Sequence, residues 1–247
     1  MPGRGAIGLY VHIPFCRARC AYCDFNTYAG LEDHFAGYVR ALAREIEAAG
    51  PALLRSVYVG GGTPTILPPS LLADILAAAG ARFALGDDAE ISIEANPGTV
   101  DAAALAQLRA LGFNRLSLGV QSLDDGELRL LGRIHTAAQA TEAFRAARQA
   151  GLDNVGLDLI YGLPGQLPTA WQASLARALE LEPEHLSLYA LSLEEGTSLA
   201  ERVQRGDLPA PDPDLAAEMY DWAEAACAAV GYDHYEISNW ARGPRSR

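Results

Sequence analysis

Three of the chain's four cysteines, Cys16, Cys20 and Cys23, fall within eight residues, in the string CRARCAYC. The spacing C-x3-C-x2-C supplies three thiolates from one loop, one fewer than a closed tetrahedral metal site needs. An iron–sulfur cluster held by three cysteines keeps one iron open to another ligand, so the pattern points to chemistry more than to a structural staple. The competing arrangement is a zinc site completed by His12, four residues before Cys16. It is the weaker reading if the loop sits at the mouth of a barrel, where structural zinc is rare. The fourth cysteine, Cys227, reads as a small core residue on a helix.

Other polar groups recur where strand-like runs end. Gly60-Gly61-Gly62-Thr63-Pro64-Thr65 follows one run, Glu94-Ala95-Asn96-Pro97-Gly98 ends another, and Gln121-Ser122 closes a third. Asp158 and Tyr161-Gly162-Leu163-Pro164-Gly165 belong to a fourth, and Tyr189-Ala190 to a fifth. The triple glycine lacks the lysine of a phosphate loop. It reads either as a tight turn or as a bare backbone edge against which an amino or carboxylate group can lie. Glu94, Asp158 and Arg133 could be ordinary caps, ion pairs or surface charges, but their placement at or soon after successive strand ends favours one shared pocket. For His34, His135, His185 and His234 no partner is legible, and a structural role is expected of each.

The elements that position these groups alternate in type. Short β-branched or apolar runs cover Ile7–Ile13, Ser56–Gly60, Glu90–Ala95, Arg115–Gln121, Val155–Tyr161 and His185–Ser192, with a seventh at Tyr232–Ser238. Between them lie segments with helical spacing, as in Phe35, Val39, Leu42 and Ile46 early on and Leu215, Met219, Trp222 and Ala226 in the last. Six strand–helix units in succession imply parallel strands with right-handed crossovers. The predicted fold class is α/β, a complete or partial barrel of the triose-phosphate-isomerase type, with a doubly wound open sheet as runner-up. Barrels gather their chemistry at the C-terminal strand ends. One domain over 1–242 is expected, with Leu208–Pro213 as a loop before the last helix and a disordered tail over 243–247.

Composition narrows the function. Half of the 247 residues are hydrophobic and 20% are charged, which suits a folded core. A net charge of −12 makes nucleic acid a poor partner. No run is apolar enough to span a membrane and no signal peptide is legible, so a reducing cytoplasm is expected.

The strings YVHIPFCRARCAYCDF, GGGTPT, EANPG, LGVQS, DLIYGLPGQ and LSLYAL together resemble the radical S-adenosylmethionine superfamily. They are most similar to the group of oxygen-independent coproporphyrinogen III oxidases and their haem-chaperone relatives, from about Tyr10 to Trp240. The resemblance implies a partial six-unit radical SAM barrel and a [4Fe–4S] cluster on Cys16, Cys20 and Cys23, with S-adenosylmethionine on its open iron. An electron from the cluster would cleave the sulfonium to a 5′-deoxyadenosyl radical. It further implies cofactor contacts at Tyr10, Tyr22, Gly61, Gly62, Thr63, Glu94, Gln121, Arg133, Asp158 and Ala190. The oxidases carry one more cysteine at the position of Phe25; Asp24-Phe25 and the short N-terminus are features of the haem-chaperone branch. That branch implies haem or porphyrin as ligand, haem-requiring respiratory enzymes as acceptors and an electron donor for the cluster. Oxidative decarboxylation of coproporphyrinogen III is the alternative. Members of the group continue beyond the EISNWAR string into a C-terminal domain, so the chain reads as a truncated member whose own activity is in question.

Overall fold

The computed structural model describes residues 6–243. The expected tail therefore lies, from residue 244 on, outside the described residues. Six parallel strands form the body of one sheet: β1 (Ile7–Ile13), β4 (Leu53–Gly61), β5 (Ala84–Ala95), β6 (Arg115–Gln121), β7 (Val155–Tyr161) and β8 (His185–Ala190). Two short strands, β2 (Phe15–Cys16) and β3 (Tyr28–Ala29), pair in parallel across the cysteine loop. The final hairpin, β9 (Asp233–Glu236) and β10 (Asn239–Ala241), adds to the edge at β8 with antiparallel pairing. The predicted seventh strand is thus half of this hairpin, because Ile237 and Ser238 turn the chain back.

The order β1-β4-β5-β6-β7-β8-β10-β9 decides between the two predicted architectures. A doubly wound sheet reverses direction at a switch point. Here each new parallel strand is added on the same side, as in a barrel, and the sheet ends at β1 and β9 without closing on itself. The fold is a partial barrel.

Helices cover the outer face: α1 (Phe35–Ala48), α2 (Pro69–Arg82), α3 (Ala102–Ala110), α4 (Asp125–Leu130), α5 (Ala137–Gln149), α6 (Pro168–Glu180), α7 (Ser198–Gln204) and α8 (Pro213–Ala229). Their starts are written locally. Pro69, Pro168 and Pro213 occupy first helical positions, where a missing N–H costs nothing. Asp101, Asp124 and Asp212 cap orphan amides, and Thr136 with Gln139 forms a reciprocal capping box. The predicted loop Leu208–Pro213 precedes α8 up to Asp212, and Pro213 already opens the helix. The buried stripe of α8 is Met219, Ala223 and Cys227, one position along from the predicted Trp222 and Ala226.

The sheet's two faces differ. Val57, Val59, Ile93, Leu116, Leu118, Leu157, Leu159, Leu186 and Leu188 pack beneath the helices as the main core. The alternate residues, Tyr58, Ser92, Glu94, Arg115, Ser117, Asp158, His185 and Ser187, leave the inner face polar. Burying that face is tolerable only because its groups bond across strands, as with Tyr58 to Glu94 and Ser117 to Asp158.

Candidate functional site

The cysteine loop hangs from the C-terminal end of β1 and is tied down on three sides. The amides of Gly62 and Thr63 donate to the carbonyls of Ile13 and Phe15, both at 2.8 Å. Ala21 N donates to Leu131 O at 2.9 Å, and Leu199 N donates to Ala21 O at 2.8 Å. The strand end after β4, the segment after α4 and the start of α7 therefore all hold the loop.

All three cysteines are half-buried free thiols, whereas Cys227 is buried in the core with its thiol pushed up to about 12 by burial. Thr63 donates its hydroxyl to Cys16 Sγ at 3.6 Å, and Thr27 lies 4.0 Å from Cys23 Sγ. Burial raises the Cys16 thiol, and the hydroxyls of Thr63 and Thr27 partly offset it. Arg133 donates from Nη1 to Cys20 Sγ at 3.2 Å and from Nη2 to Gly119 O at 2.5 Å. Its Nε is buried with no hydrogen-bond partner within the protein. Tyr22 is held un-ionised, by burial first, with the nearby Arg133 charge opposing that rise.

The triple glycine is a place of close packing, as its turn reading requires. A Cβ on Gly60 would lie 2.9 Å from the Glu94 carboxyl, and one on Gly61 would lie 2.5 Å from His12 Nδ1. One on Gly62 would lie 2.5 Å from Phe15 O and 3.0 Å from Cys16 Sγ. Gly61 also sits at φ 115°, and its N–H donates to Glu94 Oε2 at 2.9 Å. The amides of Gly61, Gly62 and Thr63 are all bonded within the protein, so the glycines first serve to let the cysteine loop, His12 and Glu94 approach the strand.

Deeper in the barrel, Glu94 accepts from Tyr58 at 2.5 Å. Its carboxyl is raised by burial, with the Tyr58 bond pulling it back. Asp158 accepts from Ser117 at 3.2 Å, and it too is raised, by burial first, with Ser187, Arg115 and Ser117 pulling it back. Tyr10 is exposed on β1; its hydroxyl lies 2.9 Å from His12 Nδ1 and its ring stacks at 6.0 Å from Tyr58. Gln121 ends β6 at φ 67°, a positive value rare outside glycine. A Cβ on Gly119 would meet Gln121 Nε2 at 2.9 Å and Arg133 Nη2 at 3.4 Å. Ala190 lies exposed at the end of β8.

Most of the predicted residues thus meet in contact networks at the strand ends. Ala190 is placed at the mouth by its strand alone. Residues the sequence did not single out are Tyr58, Arg115, Ser117, Gly119 and Thr27; His135 carried only the expectation of a structural role. The alternation along β4, β5 and β6 could have flagged Tyr58, Arg115, Ser117 and Gly119, since each falls on the polar face.

The donor set fits an iron–sulfur cluster better than a single ion. Among the described residues, no three His, Cys, Asp or Glu side chains gather as a single-ion site. His12 is engaged through both ring nitrogens, by Tyr10 at 2.9 Å and by Asn26 O at 3.3 Å. The unpartnered Arg133 Nε is a buried donor left for a group beside Cys20.

Comparison with known proteins agrees. The family described as the radical SAM superfamily matches residues 10–177. The bovine (Bos taurus) "Radical S-adenosyl methionine domain-containing protein 1, mitochondrial" is 43% identical over 98% of this chain and 55% of its own length. "Heme chaperone HemW" of Mycobacterium tuberculosis is 42% identical over 98% of this chain and 64% of its own. The solved structure of coproporphyrinogen III oxidase (HemN) from Escherichia coli superposes with a TM-score of 0.88 at 31% identity, over 98% of this chain and 56% of that one. The chain thus spans little more than half the length of these relatives. With the partial barrel, the three-cysteine loop and these matches in hand, the chain belongs to the radical SAM superfamily.

Proposed function

We propose that residues 1–242 are one radical SAM barrel domain of a haem chaperone, a protein that binds haem and hands it to haem-requiring enzymes such as respiratory complexes. The observation that carries this reading is Asp24-Phe25 directly after Cys23, with Phe25 exposed where the oxidases have a further cysteine. Relatives named as haem chaperones match 94–98% of the chain, in support.

Cys16, Cys20 and Cys23 would hold a [4Fe–4S] cluster, and Tyr10, Tyr22, Gly61, Gly62, Thr63, Glu94, Gln121, Arg133, Asp158 and Ala190 would line the S-adenosylmethionine site. Bound there, the cluster supplies a single electron at the strand ends. The chain's own part is to orient and to exclude water. Thr63 and Arg133 donate to the sulfurs of Cys16 and Cys20 and so orient them within the loop. Glu94 and Asp158 present buried acceptors to amino or ribose groups. Arg17 and Arg19 are exposed and bonded to the backbone carbonyls of Gly98 and Cys23. On an acidic chain they give the cysteine loop local positive charge, suited to an acidic electron carrier. Among the described residues no helix is long and apolar enough to cross a membrane; thiols kept free for iron suit a reducing compartment, and we place the protein in the cytoplasm.

The second reading is oxidative decarboxylation of coproporphyrinogen III, favoured by the 0.88 superposition on that oxidase. A haem titration of the anaerobically reconstituted full-length protein, followed by absorption, separates the two. Saturable binding with transfer to an apo-acceptor, and no anaerobic turnover of coproporphyrinogen III, is expected. Turnover without haem binding would overturn the chaperone reading.

A further inference from the structure

We propose that His135 is a positioning residue: it holds the strained turn at the end of β6 and thereby aims Gln121 into the barrel mouth. Ser122 N donates to Val120 O at 2.9 Å, closing a three-residue turn centred on Gln121 at φ 67°. The positive-φ form of this turn is rare and strained, and a side-chain-bearing residue stays in it only when its surroundings hold it there. His135 Nε2 lies 3.1 Å from the same Val120 carbonyl, and Nδ1 lies 3.0 Å from Asn96 Oδ1 at the end of β5. The ring is 4% exposed, so it cannot exchange these partners for water.

Burial, then Arg133, push His135 down to about 4, so the ring is neutral at ordinary pH and carries one proton. A backbone carbonyl can only accept, whereas a side-chain amide can turn. The proton is therefore on Nε2, which donates to Val120 O, and Nδ1 packs against the Asn96 amide, whose Oδ1 accepts from Gly98 N at 3.0 Å. His135 also fixes its own segment: Arg133, two residues earlier, reaches Cys20 and Gly119, and Gly119 leaves room for Gln121 Nε2. One buried imidazole thus bonds the end of β6 and packs against the end of β5, two residues from the arginine that touches the cysteine loop.

The test is a pair of double-mutant cycles on the anaerobically reconstituted protein. The first reads the thermal midpoint of His135→Leu, alone and combined with Gln121→Gly. Glycine adopts positive φ without strain, so less than half of the loss caused by His135→Leu is expected to remain with Gln121→Gly. Equal losses in both backgrounds overturn the proposal. Should His135→Leu alone not fold, recovery with Gln121→Gly supports it and failure there refutes it. The second cycle rests on the reading of Gln121 as a cofactor contact and measures S-adenosylmethionine affinity by calorimetry, with iron content as the control. His135→Leu is expected to weaken binding about tenfold, and His135→Gln, which keeps an N–H, much less. No further loss is expected on top of Gln121→Ala, and full additivity overturns the aiming role. A parent protein that binds no S-adenosylmethionine would defeat the site reading, while the thermal cycle still judges His135.

Discussion

Two glycine-to-alanine changes should move stability in opposite directions. At Gly62 the added methyl would lie 2.5 Å from Phe15 O and 3.0 Å from Cys16 Sγ. A carbon beside a carbonyl oxygen needs about 3.3 Å, so the loop and strand must part by about 0.8 Å. Yet the amides of Gly62 and Thr63 clamp them together at 2.8 Å each. The clash is with backbone, which has no rotamer to change. Overpacking costs of about 1–3 kcal/mol apply, with about 1 kcal/mol more for each clamping bond lost. With both bonds lost the cost is about 3–5 kcal/mol, so at roughly 2–4 °C per kcal/mol for a chain of this size Gly62→Ala should lower the midpoint by about 6–20 °C. Gly80, exposed in α2, has nothing within 4 Å of its would-be Cβ. Gly80→Ala should therefore gain up to about 1 kcal/mol of helix propensity. Both are read by thermal unfolding of the metal-free protein under reductant, with iron and sulfide content after reconstitution as a second readout. Gly62→Ala should retain well under half the iron of the parent, and Gly80→Ala all of it. A parental midpoint and full iron in Gly62→Ala would refute the reasoning.

Each of Cys16→Ala, Cys20→Ala and Cys23→Ala should lose stable cluster assembly, whereas Cys227→Ala should keep it; metal and sulfide analysis checks this. Arg133→Lys keeps a charge but cannot serve both Cys20 and Gly119 from one ammonium, so a loss of about 1–2 kcal/mol is expected in urea unfolding. Asp158 has a raised folded-state pKa, so the native state holds its proton more tightly and stability falls as pH rises through that window. Asp158→Asn should accordingly stabilise the metal-free protein near neutral pH and do less in acid, as read by unfolding midpoints across pH.

The cysteine loop and the alternation of strands and helices were legible because both are local signals. Thiol spacing needs eight contiguous residues, and the alternation of runs needs only a short window. What escaped depends on contacts between distant segments. The steric reason for Gly62 lies 47 positions away at Phe15, and the partners of His135 lie on two other strand ends. Nothing in the sequence near His135 distinguishes a latch from an ordinary core histidine. The hairpin at the end was missed for a different reason. Ile237 looks like a strand residue but is 72% exposed and sits in the turn, so hydrophobicity misled where register decides.

The charge arrangement inside the barrel leads to a last prediction. Glu94 and Asp158 share the polar face and are raised by burial; Asp158 adds to the rise at Glu94, while Arg115 pulls both back. Buried carboxylates with raised pKa values are stabilised in their ionised form by a cation placed beside them. S-adenosylmethionine carries a sulfonium and an ammonium. If these lie by Glu94 and Asp158, affinity should weaken as pH falls through the raised range, because a protonated acid offers no charge. His135 and His185 are both held down to about 4 and do not titrate there. The measurement is the dissociation constant by calorimetry between about pH 5 and pH 8, for the parent, Glu94→Gln and Asp158→Asn. S-adenosylhomocysteine, which lacks the sulfonium, separates that charge from the ammonium. The parent should show the steepest dependence and the variants a flatter one; S-adenosylhomocysteine should be less sensitive than S-adenosylmethionine. Identical slopes in all three proteins would mean that neither acid senses the ligand's charge, and the polar inner face would then need another purpose.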